Sequence, residues 1–402
     1  MALTNDTNSL LSFLKKLKIN LPNKNANVEE LYNDIHSAFQ YVKYNEIHIQ
    51  KFSRKIFNVN NILKPSNFSN NFITQEIYDE INNKTIVTTR YLFELLNRKY
   101  SITFNISDIT DIDNIDSYLN KIIIWLYIVH LYSSPSCSKK IDIYIFLTDV
   151  KKKLPTNNFE EIGKKHINSG YTYCCKPINE IVIYRKEEWF KVFIHESMHA
   201  FGLDFCSFGL EKEIKNILYS HFPLNSNMYL YESYCETWAT ILNLLINIYL
   251  KNPNMNYLKF QKTYNNYITN EIKFSLFQTT KILGFMDIKY KDLYSKKSSS
   301  TIKREYMYKE NTELFSYFIV KTILLYNHNL FIKWCREHNF SLINFNKTHK
   351  NIFDFCDFII NKYKKINIVN NFKNIEELLM NKSSNINNKT LQTSKMSLYD
   401  FN

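Results

Sequence analysis

Residues 187–202, EEWFKVFIHESMHAFG, constrain this chain more than any other stretch, because they set His195, Glu196 and His199 in the order H-E-x-x-H. On a helix, residues four apart stand one turn above each other, so both imidazoles can face a single metal ion. Glu196 then projects about a quarter-turn away, toward the place of a water on that ion. The helix has local support. Trp189, Val192, Phe193 and Phe201 supply an apolar face, Glu187 and Glu188 suit the positive first turn, and Gly202 is a natural C-terminal stop. The plainer alternative is a pair of histidines packed into a helix face.

Zinc, the metal this pair suits, needs a third protein ligand. A longer three-histidine pattern would put His six residues after His199, but that position is Phe205. Asp204 stands one residue earlier and is a ligand candidate. Further on, residues 229–249, YLYESYCETWATILNLLINIY, read as a second helix with Glu232 and Glu236 one turn apart. Either carboxylate can reach the metal.

His195, Glu196 and His199 followed by Glu232-Ser-Tyr-Cys-Glu236 resemble the H-E-x-x-H … E-x-x-x-D/E arrangement of gluzincin zinc metallopeptidases. The resemblance covers residues 140–250 and implies a zincin-like core, Zn2+ as cofactor and a polypeptide as substrate. It makes Glu196 the general base toward a zinc-activated water and Glu232 the third ligand. It makes Glu236 the partner of the His195 N–H, since a ligating imidazole needs its other nitrogen held. Glu stands where many members have Asp, so the two carboxylates can exchange roles. The resemblance also implies that Ile181, Val182, Ile183 and Tyr184 form a rim strand binding extended peptide, although their composition fits a buried strand equally well. A later helical lobe in such enzymes supplies a transition-state residue. Arg304, Tyr306, Tyr308, His221 and His328 are candidates. The run also resembles metallopeptidase-like proteins of large nucleocytoplasmic DNA viruses.

The pattern around this motif predicts an α+β, predominantly helical chain with a small antiparallel or mixed sheet beside the HExxH helix. Four regions are expected: a helical N-terminal lobe over 1–135, the catalytic core over 136–250, a helical C-terminal lobe over 251–380 and a flexible tail over 381–402. In the first, 28–57, 73–81, 89–96 and 115–132 read as helical. Residues 141–150, IDIYIFLTDV, read as a strand, and 171–175 with 180–185 as a hairpin entering the HExxH helix. Helices follow near 257–267, 272–283, 312–326, 330–338, 352–364 and 374–380, with a surface loop at 296–301. Residues 396–401 can dock back.

Leu10, Leu11, Phe13, Leu14 and Leu17 line one face of an N-terminal amphipathic helix that lacks a signal-peptide cleavage pattern. The apolar runs 122–129 and 246–250 are too short to span a bilayer. Lys and Arg exceed Asp and Glu by 13, but they are scattered and no nucleic-acid reader motif accompanies them. Seven cysteines form no regular framework, so buried free thiols in a reducing, intracellular compartment (host cytoplasm or virion, if viral) are expected. Cys174, Cys175, Cys206 and Cys235 lie close enough to the motif to leave room for redox or further metal chemistry. A peptidase is the function these residues favour. A zinc-stabilised structural or virion-associated protein, and a protease acting on nucleic-acid-bound proteins, are the alternatives.

Overall fold

A computed structural model describes residues 4–22, 25–66, 68, 72–381 and 387–401. Strands β1 (Gln50–Lys55), β2 (Val87–Leu95), β3 (Arg98–Ile106), β4 (Lys140–Phe146), β6 (Gly170–Thr172) and β7 (Ile178–Ile183) form a sheet in the order β1-β2-β3-β4-β7-β6. The β3/β4 and β4/β7 pairs are parallel and the others antiparallel. The short strands β5 (Ile162–Gly163) and β8 (Glu310–Asn311) pair separately. The remainder is mostly helix, so the chain is α+β and predominantly helical around a mixed sheet.

Alternation explains the central strands. In β4, Ile141, Ile143 and Ile145 are wholly buried while Asp142 and Tyr144 face the more open side. The buried side of the sheet packs on helix Ile115–Tyr132, whose run 122–129 is a core segment. Part of the opposite side is covered by helix Gln75–Lys84 through Ile77 and Ile81, which meet Val182 and Tyr184.

Several expectations are corrected. Residues 89–96 form β2, not a helix, and 50–55 form edge strand β1 where a continuous helix over 28–57 was expected; only Glu29–Tyr44 is helical. The region 1–135 thus contributes three of the six sheet strands. The β2–β3 hairpin turns through Leu96 and Asn97, both at positive φ (49° and 63°), without the glycine that announces such a turn. The expected loop 296–301 is largely helix, since Ser298–Tyr306 starts inside it. One apolar cluster runs from Leu10 to Phe401 through all four expected regions.

The flexible tail expected over 381–402 is corrected in part. Residues 382–386 lie outside the described residues, and Met396, Leu398, Tyr399 and Phe401, in the segment expected to be able to dock back, are buried in the main core. Glu271 receives the backbone N–H groups of Leu398 (3.0 Å) and Tyr399 (3.1 Å) and the Ser397 hydroxyl (2.7 Å). A buried carboxylate is tolerated here because it is hydrogen-bonded.

Candidate metal centre

The site is built where helix Trp189–Ala200 crosses helix Leu230–Lys251. The first helix ends where it must. Gly202 sits at φ +67°, and a Cβ there would lie 3.0 Å from Cys137 Sγ and 3.2 Å from Cys175 Cβ, so only glycine fits this turn without displacing its neighbours. Its other end departs from expectation. Glu187 and Glu188 precede the helix and are buried, and the Glu188 carboxylate pairs with buried Lys152 at 2.7 Å.

His195 Nε2, His199 Nε2 and Glu232 Oε2 converge on one point. The two nitrogens are 3.2 Å apart, and the carboxylate oxygen lies 3.1 Å from His195 Nε2 and 3.5 Å from His199 Nε2. Ligands at about 2.0–2.1 Å from a tetrahedral zinc would stand about 3.3–3.4 Å from one another, so the spacing fits that ion. The donor chemistry fits too. One cation can accept a lone pair from both imidazole nitrogens and from the carboxylate at once, so a single ion serves all three converging atoms.

The other nitrogens face carboxylates. His199 Nδ1 is hydrogen-bonded to Asp204 Oδ2, and His195 Nδ1 faces Glu236 Oε2 at 3.1 Å, off the line of a good hydrogen bond. Asp204, a ligand candidate by sequence, therefore stands behind His199 rather than among the three converging donors. Glu232 is the carboxylate at the point of convergence and Glu236 the one behind His195. Two further donor groups share His199, one with Asp204 and Cys235, the other with Cys174 and Cys206.

Charge beneath this layer fixes Glu236. Lys191 Nζ lies 2.6 Å and 2.8 Å from its two oxygens, and Lys321 Nζ lies 3.4 Å from one of them. Burial works against ionisation, yet Lys191 and Lys321 hold Glu236 well below the usual carboxylate range. Burial likewise opposes charge on Glu232, and His199 and His195 overcome it in the same direction. The imidazoles respond in kind. Desolvation disfavours their protonation, but Glu232 and Glu236 raise His195 above the ordinary histidine range, and Cys235, Asp204 and Glu232 raise His199 well above it.

Glu196 differs from its neighbours. Among the described residues it makes no hydrogen bond or ion pair, and burial raises its carboxyl above the ordinary value. It lines a cavity of about 20 Å³ with Ser169, Gly170, His195, Tyr317 and Met396, enough room for a water. Gly170 brings β6 close, since a Cβ there would stand 2.9 Å from both Ile183 Cδ1 and Val192 Cγ1.

Sequence reasoning missed Tyr317. It sits in the π-helical turn Phe315–Val320 and donates its hydroxyl to Glu232 Oε2 at 3.0 Å. Its surroundings come from packing between helices distant in sequence, and the run FSYFIV carries no signal of it. The five residues expected to serve the transition state are elsewhere. Arg304 donates to the Asp292 and Ser295 carbonyls, Tyr308 to Glu310, and His221 meets Tyr363. His328 packs near Tyr264, and Tyr306 is exposed.

Two further expectations are corrected. Ile181, Val182, Ile183 and Tyr184 are buried, and β7 pairs with β4 on one side and β6 on the other, so this segment offers no free rim to a peptide. The strand at the end of the sheet is β6. Four cysteines are paired, Cys137 with Cys175 and Cys174 with Cys206, while Cys235, Cys335 and Cys356 are buried free thiols. Free thiols thus no longer argue for a reducing compartment. Among the described residues no helix is long and apolar enough to cross a membrane.

Comparison with protein-family models, characterised proteins and solved structures gives no significant match.

Proposed function

We propose that this protein is a zinc-dependent peptidase whose metal is held by His195, His199 and Glu232. The observation that carries the proposal is the unengaged Glu196 carboxylate beside three converging donors. A purely structural metal site has no use for a fourth carboxylate kept free and buried at its edge.

Zinc, when bound, supplies a Lewis acid that polarises a carbonyl and makes a water acidic near neutral pH. The chain's own residues do the rest. Asp204 holds the Nδ1 side of His199 by a hydrogen bond and Glu236 faces that of His195 with its charge, an arrangement that leaves both Nε2 atoms pointing inward. Lys191 and Lys321 fix Glu236. Tyr317 fixes the Glu232 oxygen. Burial keeps the Glu196 carboxyl close enough to neutrality to accept a proton from water in the cavity and return it to a leaving amine.

The closure of the site favours a second reading. His195 and His199 are each only 5% exposed and the cavity admits no peptide, as expected for a metal centre that only stabilises the fold. Glu196→Gln separates the two. A peptidase keeps its metal and its melting temperature in this variant and loses about 10²–10⁴-fold in turnover of a peptide library. Turnover at the wild-type rate would sink the catalytic role of Glu196. An inert wild type carrying one zinc would favour the structural centre.

A further inference from the structure

We propose that Cys174 and Cys206, once their disulfide is reduced, form with His199 a second metal site that overlaps the first and takes a thiophilic divalent cation such as zinc or cobalt. The proposal rests on the reading of His195, His199 and Glu232 as a metal centre, because both sites draw on His199.

The geometry comes from three elements meeting at the end of the HExxH helix. Both sulfur atoms and a ring nitrogen of His199 lie within 4.8 Å of one another. Cys174 sits in the turn between β6 and β7, and the next residue is anchored twice: Cys175 N donates to the His199 carbonyl at 3.1 Å, and its sulfur is bonded to Cys137. Cys206 follows Asp204, whose carboxylate accepts the Cys206 N–H at 3.4 Å while holding His199. Both thiols therefore stay beside the imidazole when the bond between them opens. Only a small separation is needed, since two sulfurs at about 2.3 Å from a tetrahedral zinc stand about 3.8 Å apart.

Access orders the chemistry. Cys174 and Cys206 are both solvent-reachable, whereas the other disulfide is reached only on its Cys175 side, Cys137 being 1% exposed, so the outer disulfide is the more open to a reductant. A phosphine reductant attacks one sulfur and expels the other as thiolate. Water then releases the first sulfur as a thiol and leaves the phosphine oxide, so the disulfide gains two electrons and two protons. Cation binding displaces both thiol protons. The donor set changes from two nitrogens and an oxygen to one containing two sulfurs, which favours softer cations.

Cobalt(II) reports the difference, because thiolate ligation adds a near-ultraviolet charge-transfer band to the visible d–d bands. Full-length protein would be titrated with cobalt(II) as purified, and again after phosphine reduction and desalting, beside a Cys174→Ser/Cys206→Ser variant treated in the same way. The proposal expects d–d bands in all samples and the charge-transfer band in reduced wild type alone. Cobalt bound to reduced wild type without that band overturns it, as does a band that persists in the double variant. A band on reduction with no cobalt bound to the oxidised protein would keep this site and remove the His195, His199 and Glu232 centre. No cobalt bound in either state would remove both.

Discussion

Glu236 shows how much the proposed metal site would depend on groups that touch no metal. Its carboxylate is clamped by Lys191 and Lys321 and stands behind His195, so its worth is the orientation of one ring. Glu236→Ala is expected to weaken zinc binding about 10–100-fold, and Glu232→Ala to abolish it. Lys191→Met should cost about 3–5 kcal/mol in denaturant unfolding, because it removes the closer of two cations from a wholly buried carboxylate. Unchanged zinc affinity in Glu236→Ala would show that His195 needs no such support. Protons compete at the same atoms. Both histidines are raised above their ordinary value of 6.5 in the metal-free fold, and only neutral imidazole binds metal. Zinc affinity should therefore begin to fall while the pH is still above 6.5, measured by competition with a chelator. A flat affinity from pH 8 to 6 would contradict this.

At this scale the sequence was informative where chemistry is local. His195, Glu196 and His199 are one turn of one helix, and Glu232 and Glu236 one turn of another, so spacing alone places each set on a face. Tyr317 and Lys321 come from a π-helical turn and the helix after it, and only packing brings them to Glu232 and Glu236. Asp204 was visible as a carboxylate near the motif. Whether it ligates or supports depended on which nitrogen of His199 it meets.

Among the elements, β1 and β2 were hard to read because their composition misleads, whereas β3, RKYSITFNI, carries strand-favouring Tyr, Ile, Thr and Phe and was passed over in a region read as helical. β1, QKFSRK, is exposed along its whole length, as charged edge strands are, and it lacks an alternating apolar pattern. β2 carries Leu and Glu, which suit a helix, and the Leu96-Asn97 turn has no glycine to separate it from β3. The polar stretch 381–395 read as loose chain, whereas 396–401 was expected to be able to dock back, and it does so through polar as well as apolar groups. Glu188 accepts the Met396 N–H at 3.3 Å and that of Ser397, and Glu188 N donates to Asp400 at 2.8 Å. Ending the chain at Thr393 would leave the buried Glu271 carboxylate without the Ser397, Leu398 and Tyr399 donors, at about 3–5 kcal/mol for an uncompensated buried charge, while Glu188 would lose two backbone donors but keep Lys152. Such a truncation should fail to fold, seen as loss of near-ultraviolet circular dichroism. A truncated chain with an unchanged melting temperature would show the segment to be dispensable.

For the whole molecule, the expected division into lobes meets a single core that reaches from Leu10 to Phe401 and contains both site helices. The proposed metal centre is thus held by the same packing that holds the fold, with the sheet on one side of the HExxH helix and the C-terminal helices beyond the second. The measurement that tests the central claim most directly is the zinc content of purified protein by elemental mass spectrometry, for wild type and for Glu232→Ala. The account predicts about one zinc per wild-type chain and almost none in the variant. Wild-type protein that takes up no zinc even after reconstitution, or a Glu232→Ala variant that keeps its full complement, would contradict it.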